Sequence, residues 1–287
     1  MVAEIPPSSI EAAFVLEALQ KGVRAAFVLE ALQKGVRVDG RGLYDYRALR
    51  ISCGPALGMV EVQLGQTRVL ARVSCEVTRP APERPTEGIV LFSCELGSLA
   101  APGLDNGPRA SAQEVSVSRM VERIIRQSRA IDTEALCIMA GEQVWTVRID
   151  LHFLDHAGNL VDAAAVAAIA ALRHFRRPDV TVDGETAIIH DPRDRNPVPL
   201  SIHHTPVCVS FAFLGANGQL VVLDPALLEE QTQTAAFTVT LNAHREICAL
   251  NKAGGVPLDA EQIGRCTQVA VTKAEELIDA INKALVQ

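Results

Sequence analysis

Hydrophobic and polar positions alternate with a period of two along much of the chain from Leu49 onward. Leu49–Cys53, Met59–Leu64, Thr67–Val77 and Ile89–Leu96 read as strands parted by Gly, Pro and Thr turn signals, and together they predict an antiparallel meander. The period then lengthens. Over Ser111–Arg129, Val117, Met120, Val121, Ile124 and Ile125 fall within about 140° of one side of a helix, while Arg119, Arg123 and Arg126 fall within about 60° on the other. Gln143–Leu154 alternates again, with Val144, Thr146, Arg148 and Asp150 on one face and Trp145, Val147, Ile149 and Leu151 on the other. Gly158-Asn159 turns this strand into a second helix, Leu160–Phe175, apolar nearly all round and therefore expected to be buried.

The second half repeats the grammar. Strands at Val180–Ile189, Val207–Leu214, Gln219–Leu223, Phe237–Leu241 and Glu246–Leu250 lead to a terminal helix from about Ala260, with Asp259 as N-cap and Gln262 at its third position. Two successive strands-then-helix halves predict an α+β protein built from duplicated β-α units.

The first 40 residues hold a different pattern. Ala12–Arg24 reads AAFVLEALQKGVR, and Ala25–Arg37 repeats it without a change. Thirteen residues at about 100° each leave the two apolar faces about 220° apart, so they cannot form one stripe, and a single repeat is no solenoid. It reads as a recent duplication or a sequence error, with the second copy expected to pack because it runs directly into the next segment. Pro6-Pro7 and Ser8-x-x-Glu11 make a stop and a capping box ahead of it. The chain therefore divides into an N-terminal extension over 1–24 and one domain over 25–287.

Composition narrows the chemistry. With 48% hydrophobic and 21% charged residues in 287, disorder is excluded and a sizeable core is expected. The longest apolar run, Ala163–Leu172, is about half a bilayer span and no leader pattern opens the chain, so neither membrane insertion nor secretion is expected. Seven scattered cysteines without a C-x-x-C pair fit reduced thiols in the cytosol or nucleus. A net charge of −7 leaves any nucleic-acid contact to a local basic patch, and 4% aromatics leave little for a base-stacking platform.

No Walker loop, nucleophile elbow, zinc helix or dinucleotide fingerprint is present, and no cofactor is expected. His203-His204 point to opposite faces of a strand, and among Asp150, His152, Asp155 and His156 only Asp150 and His152 share a face, too few for a metal. Arg109, Arg119, Arg123, Arg126 and Arg129 concentrate positive charge in an acidic protein. They read either as a solvated helix face or as a phosphate-tracking patch, since guanidinium forks match phosphate oxygens. Asp224, Glu229 and Glu230 follow an apolar strand, and they suit either Mg²⁺ binding and general-acid work or the acidic first turn of a short helix.

Val36-Arg37-Val38-Asp39-Gly40-Arg41, Arg47 and Gly65-x-Thr67-x-Val69-Leu70-Ala71 resemble the RNase PH family of phosphorolytic 3′-exoribonucleases and exosome-ring subunits. The resemblance continues through Thr86-Glu87-Gly88, Arg119 and Arg123, Ile131-Asp132-Thr133-Glu134, Gly141–Trp145 and His174–Pro178. Pro199–His204 and His244–Cys248 are similar to one eukaryotic exosome branch, and coverage runs from about residue 26 to the end. The resemblance implies a ribosomal-protein-S5-domain-2-like fold, duplicated within the chain.

Active family members hold phosphate at an Asp-Gly-Gly-Thr-Arg-Thr loop, where backbone N–H groups, a helix dipole and an Arg converge. The matching positions are Ala157-Gly158-Asn159-Leu160-Val161-Asp162: hydroxyl and guanidinium have become Leu160 and Val161, and Asp162 stands in the anion's place. Each lost charge-assisted hydrogen bond forfeits roughly 1.5–3 kcal/mol, so phosphate is not expected to bind. Asp224 matches the family's first acidic residue and Glu230 stands where the second is expected; with Glu229 they read as a relic or a structural cap.

The resemblance then implies a non-catalytic subunit of the six-membered exosome ring, paired with other RNase PH-like subunits in a hetero-hexamer under RNA-binding cap subunits. It would hold single-stranded RNA in the central channel through Arg109, Arg119, Arg123 and Arg126, and support an associated 3′–5′ nuclease in rRNA maturation and mRNA turnover. Nucleus, nucleolus and cytoplasm are the expected locations. The alternative is an active phosphate-dependent 3′–5′ exoribonuclease.

Overall fold

A computed structural model describes residues 23, 26–97, 100, 111–183, 186–215 and 217–286. Arg109 and most of the first repeat copy lie outside the described residues. Two sheets enclose one helix. The first sheet is ordered β1-β2-β3-β6-β4, from β1 (Leu49–Cys53), β2 (Met59–Leu64), β3 (Thr67–Thr78), β4 (Ile89–Leu96) and β6 (Gln143–Asp155), with the short β5 (Cys137–Met139) also paired to β6. The meander ends at β3. β4 runs parallel to β6, with Val90 opposite Val147 and Phe92 opposite Ile149, because a helix intervenes and carries the chain back as a βαβ crossover.

After the described helix at residues 26–33 (α1), that crossover helix is α2 (Ala112–Glu122), opened by a capping box between Ser111 and Glu114. It does not run on to Arg129 as a regular α-helix: residues Arg123–Gln127 form a π-turn. One additional residue in that turn rotates everything after it, which lets both Ile124 and Ile125 enter the core.

α3 (Leu160–His174) lies between the sheets, packed on β2 and β3 on one side and on β11 (Val207–Leu214) on the other. Twelve of its 15 residues are buried, and seven are alanines. Small side chains let both sheets approach the helix closely, which is why it shows no polar face.

The second sheet is ordered β12-β11-β13-β14, with β12 (Leu220–Leu223), β13 (Ala235–Leu241) and β14 (Ile247–Lys252). The stretch Val180–Ile189 is two strands, β8 (Val180–Asp183) and β9 (Thr186–Ile189), forming a separate hairpin. A two-strand pair of β7 (Arg176–Arg177) and β10 (Val198–Pro199) completes the strands. α4 (Leu227–Thr232) is short, and α5 (Ala260–Val286) packs on β11, β1 and β13, with Gln262 accepting from the Asp259 backbone as its cap requires.

The second repeat copy packs as its position suggested. Val28 and Leu32 of α1 are buried against Ala212, Leu214 and Val222, and the helix stops where Gly35 takes φ +74° and Val36 N–H bonds to Ala31 O. No described helix is long and apolar enough to cross a membrane.

Candidate functional site

Two turns meet at the head of α3. The turn 157–159 and the turn 224–227 touch along their backbones, with Leu227 N–H donating to Ala157 O at 3.0 Å. Gly158 permits this: its φ is +96°, and a Cβ there would stand 2.5 Å from Leu227 N and 2.7 Å from Pro225 O. Asn159 and Asp224 also take left-handed backbone angles, φ +53° and +49°, which aim their side chains at each other. Asn159 Nδ2 donates to Asp224 at 2.7 Å and to Asp162 at 2.8 Å.

Around this contact sits a buried charge network. Asp224 is fully enclosed and accepts from Arg41 Nη1 (2.9 Å), from the Arg47 backbone (2.9 Å) and from Arg47 Nε and Nη2 (2.9 and 2.7 Å). Burial opposes its charge, but the Arg47 guanidinium and backbone N–H, together with the Asn159 amide, hold its carboxyl below the usual range. The remaining Arg47 donors reach Thr67 Oγ1, Ala157 O and Gly158 O. Arg37 is buried too, forked onto Glu229 at 2.5 and 3.0 Å and donating to Leu223 O and Asp224 O. Glu229 also accepts from Ala226 N–H, capping α4.

The carboxylate that meets the head of α3 is Glu230, whose Oε1 accepts from Asn159 N–H at 2.7 Å. This corrects the expectation that Asp162 takes that place. Asp162 instead turns to β11, accepting from Ser210 N (3.0 Å), Ser210 Oγ (2.7 Å) and Tyr46 Oη (2.6 Å). Three donors and the first turn of α3 draw it there. Burial pushes Asp162 up to about 6 and Glu230 up to about 7, and neighbouring carboxylates add to both shifts. Leu160 is buried in the core and Val161 packs against it, so neither offers an anion a donor from its side chain.

The matches with known proteins fit this arrangement. The model of the 3′ exoribonuclease family, domain 1, matches residues 45–178, and that of domain 2 matches 204–273. The exosome complex component RRP45 of Rattus norvegicus is 49% identical over 282 residues, 98% of this chain and 61% of the rat protein. The chain belongs to the 3′ exoribonuclease (RNase PH) family. Within that family, rrp45 of Schizosaccharomyces pombe is 47% identical over 272 residues, covering 95% of this chain and 88% of the yeast protein. A chain of an Archaeoglobus fulgidus exosome with RNA bound to its active site superposes with a TM-score of 0.78 at 31% identity, over 91% of this chain and 98% of that one. The chain spans 61% of the length of its mammalian relatives.

In this RNase PH chain the arginine stripe divides. Arg119 and Arg123 are exposed and have no ion-pair partner among the described residues. Arg126, within the π-turn, pairs with Glu122 at 2.6 Å and donates to Val90 O at 2.7 Å. It lines, with Arg129, Glu87, Asp132 and Glu134, an open depression of about 810 Å³ beside β4 whose charges are mixed. The α2 end nearest the sealed turns is Gln113, whose Nε2 lies 3.3 Å from His156 Nε2. Among the described residues no cluster of His, Cys, Asp and Glu is placed to hold a metal ion.

The sequence named Asp162, Asp224, Glu229 and Glu230 and read Asn159 as part of a turn, but gave no sign that Tyr46, Asn159 and Ser210 donate to Asp162, or Asn159 to Asp224 and Glu230. Arg37 carried one signal that was available: a lone charge between Val36 and Val38, next to a helix with a single apolar stripe.

Proposed function

We propose that this chain is a non-catalytic ring subunit of an RNA exosome, contacting single-stranded RNA and scaffolding 3′–5′ processing done elsewhere in the assembly. The observation that carries the reading is Glu230 at Asn159 N–H: the helix head that an oxyanion would need already holds a carboxylate of the chain itself. Arg37, Arg41 and Arg47 sit among the carboxylates Asp162, Asp224, Glu229 and Glu230, and their described donors are spent on Asp224, Glu229, Asp39, Thr67 Oγ1 and backbone oxygens. An arriving phosphate would find repulsion where it needs donors. Without that nucleophile, Asp224 and Glu230 have no phosphorolysis to assist.

The relatives' names support the assembly: they are exosome components, and their ring partners would be further RNase PH-like subunits, with cap subunits and an associated nuclease. Arg119 and Arg123 are the side chains assigned to RNA, with Arg109 joining them; nucleus, nucleolus and cytoplasm follow as locations. The test incubates the chain, alone and with a ring partner whose own site is disabled, with labelled RNA, phosphate and Mg²⁺. No nucleoside diphosphate is expected; its appearance would establish the active phosphorylase instead.

A further inference from the structure

β4 is the last strand of the first sheet, and no described strand pairs with its far side. In an extended chain the N–H and C=O of one residue leave on the same side, so two bonds fix which residues face outward. Val90 O accepts from Arg126 Nη2 at 2.7 Å, and Leu96 N–H donates to Glu114 Oε1 at 2.7 Å; both partners lie off the sheet. Val90, Phe92, Cys94 and Leu96 therefore turn their backbone groups to the edge, and Leu91 and Ser93 turn theirs to β6. Arg126 and Glu114 close the two ends of this edge. Its middle is open: Val90 N–H and both backbone groups of Phe92 and Cys94 have no partner among the described residues.

Beside the edge lies the open depression of about 810 Å³, whose apolar lining includes Val90, Phe92, Ile125 and Ile131. On the opposite face of the sheet Leu91 stands 46% exposed, next to Arg148 of β6. A strand laid along β4 would place alternate side chains over Phe92 on one face and Leu91 on the other. The charges around the depression also specify the occupant. Arg84 pairs with Glu87 at 3.0 Å and Arg126 with Glu122 at 2.6 Å, so these cancel. Arg129, Asp132 and Glu134 have no ion-pair partner among the described residues, which leaves one carboxylate in excess. A nucleic-acid backbone is disfavoured there, whereas a peptide carrying a basic side chain is matched.

We propose that the middle of the β4 edge receives an extended segment, bearing at least one basic side chain, from a neighbouring RNase PH-like ring subunit, which adds a strand to the first sheet. An extended polypeptide supplies N–H and C=O groups at the two-residue spacing that Phe92 and Cys94 present. Arg126 and Glu114 confine the added strand to the stretch between them and keep longer edge-to-edge pairing closed. The inference rests on the ring-subunit reading and names the backbone groups through which the neighbour is held.

The test is residue-resolved amide hydrogen exchange of the full chain, alone and assembled with RNase PH-like ring partners, with assembly itself followed by light scattering. In the free chain the Phe92 and Cys94 amides are expected to exchange at least about tenfold faster than those of Leu91 and Ser93, which bond to β6. In the assembly they are expected to slow by at least about tenfold, while Leu91 and Ser93 hardly change. Cys94→Pro, compared with Cys94→Ala, removes one outward N–H and spares the bonds to β6, so it is expected to weaken assembly roughly five- to 150-fold. A ring in which Phe92 and Cys94 exchange as fast as in the free chain overturns this inference and leaves the ring reading intact; failure to form any ring overturns both. Protection already present in the monomeric chain, or arising in a dimer of this chain alone, overturns the assignment of the edge to a neighbouring subunit. A folded Cys94→Pro chain that assembles as tightly as Cys94→Ala overturns it too, and exchange in the unaltered chain decides the matter if Cys94→Pro does not fold.

Discussion

Arg37 and Glu229, 192 residues apart in the chain, form a forked ion pair with 0% and 3% of their side chains exposed. The pair ties the segment after α1 to the cap of α4, and through Asp224 O to the turn that seals α3. A buried pair gains little over an apolar one, but breaking it leaves an uncompensated charge. Glu229→Ala strands the Arg37 guanidinium and uncaps α4, so it is expected to lower stability by about 3–5 kcal/mol, read from urea unfolding. A loss below about 1 kcal/mol would mean that the pair does not hold the N-terminal segment.

Gly158 sets how closely the two turns approach. Alanine there adds a Cβ 2.5 Å from Leu227 N at a φ of +96°, so both sterics and backbone angle oppose it. Neighbouring backbone must retreat, and the bond from Asn159 N–H to Glu230 goes with it. Gly158→Ala is expected to destabilise by roughly 2–3 kcal/mol, whereas Gly141→Ala, with open space around it, costs about 1 kcal/mol for its φ alone. Equal midpoints for the two variants would refute the close approach.

The carboxylates divide by sign with pH. Asp162 and Glu230 are raised to about 6 and about 7, so their contribution to stability is complete below their unfolded values near 4 and is lost as pH rises through 6 and 7. Asp224 is lowered, so its contribution is present above about 4 and lost as pH falls. Stability is therefore expected to peak near pH 4, to decline as pH rises to about 7, and to level off above that. Glu230→Gln keeps an acceptor for Asn159 N–H and removes one ionisation, so it flattens that decline and raises the thermal midpoint at pH 8. Asp224→Asn should instead lower the midpoint throughout the neutral range. A Glu230→Gln profile that still falls between about pH 4.5 and 7 as steeply as wild type would contradict the assignment.

Much of this was legible along the chain. Period-two alternation marked β2, β3 and β6, and the Ala163–Leu172 run marked α3 as buried, because both signals follow directly from which face meets the core. The place of β4 was misjudged: alternation shows a strand but not its neighbour, and the helix following Ile89–Leu96 was the sign of a parallel crossover rather than a meander. At the site, that Leu160 and Val161 carry no polar side chain was plain from the residues. That Glu230, not Asp162, reaches Asn159 N–H depends on Ser210 and Tyr46 drawing Asp162 away, and partners 48 and 116 residues distant leave no local trace.

The π-turn makes the arginine stripe separable by experiment. Arg119 and Arg123 precede or open the turn and are exposed, while Arg126 is committed to Glu122 and Val90 O. If the stripe tracks phosphates, Arg119→Glu/Arg123→Glu should weaken single-stranded RNA binding by the assembled ring and flatten the slope of log affinity against log salt by about 0.7 for each phosphate no longer neutralised. Stability should hardly change, since neither side chain has an ion-pair partner among the described residues to lose. Arg126→Ala should behave in the opposite way, costing about 1 kcal/mol in unfolding through the Val90 carbonyl left without its donor and leaving the salt slope unchanged. Filter binding at several salt concentrations, paired with thermal unfolding of each variant, distinguishes the two roles. An RNA affinity and salt slope indifferent to Arg119→Glu/Arg123→Glu would leave the stripe as a solvated helix face.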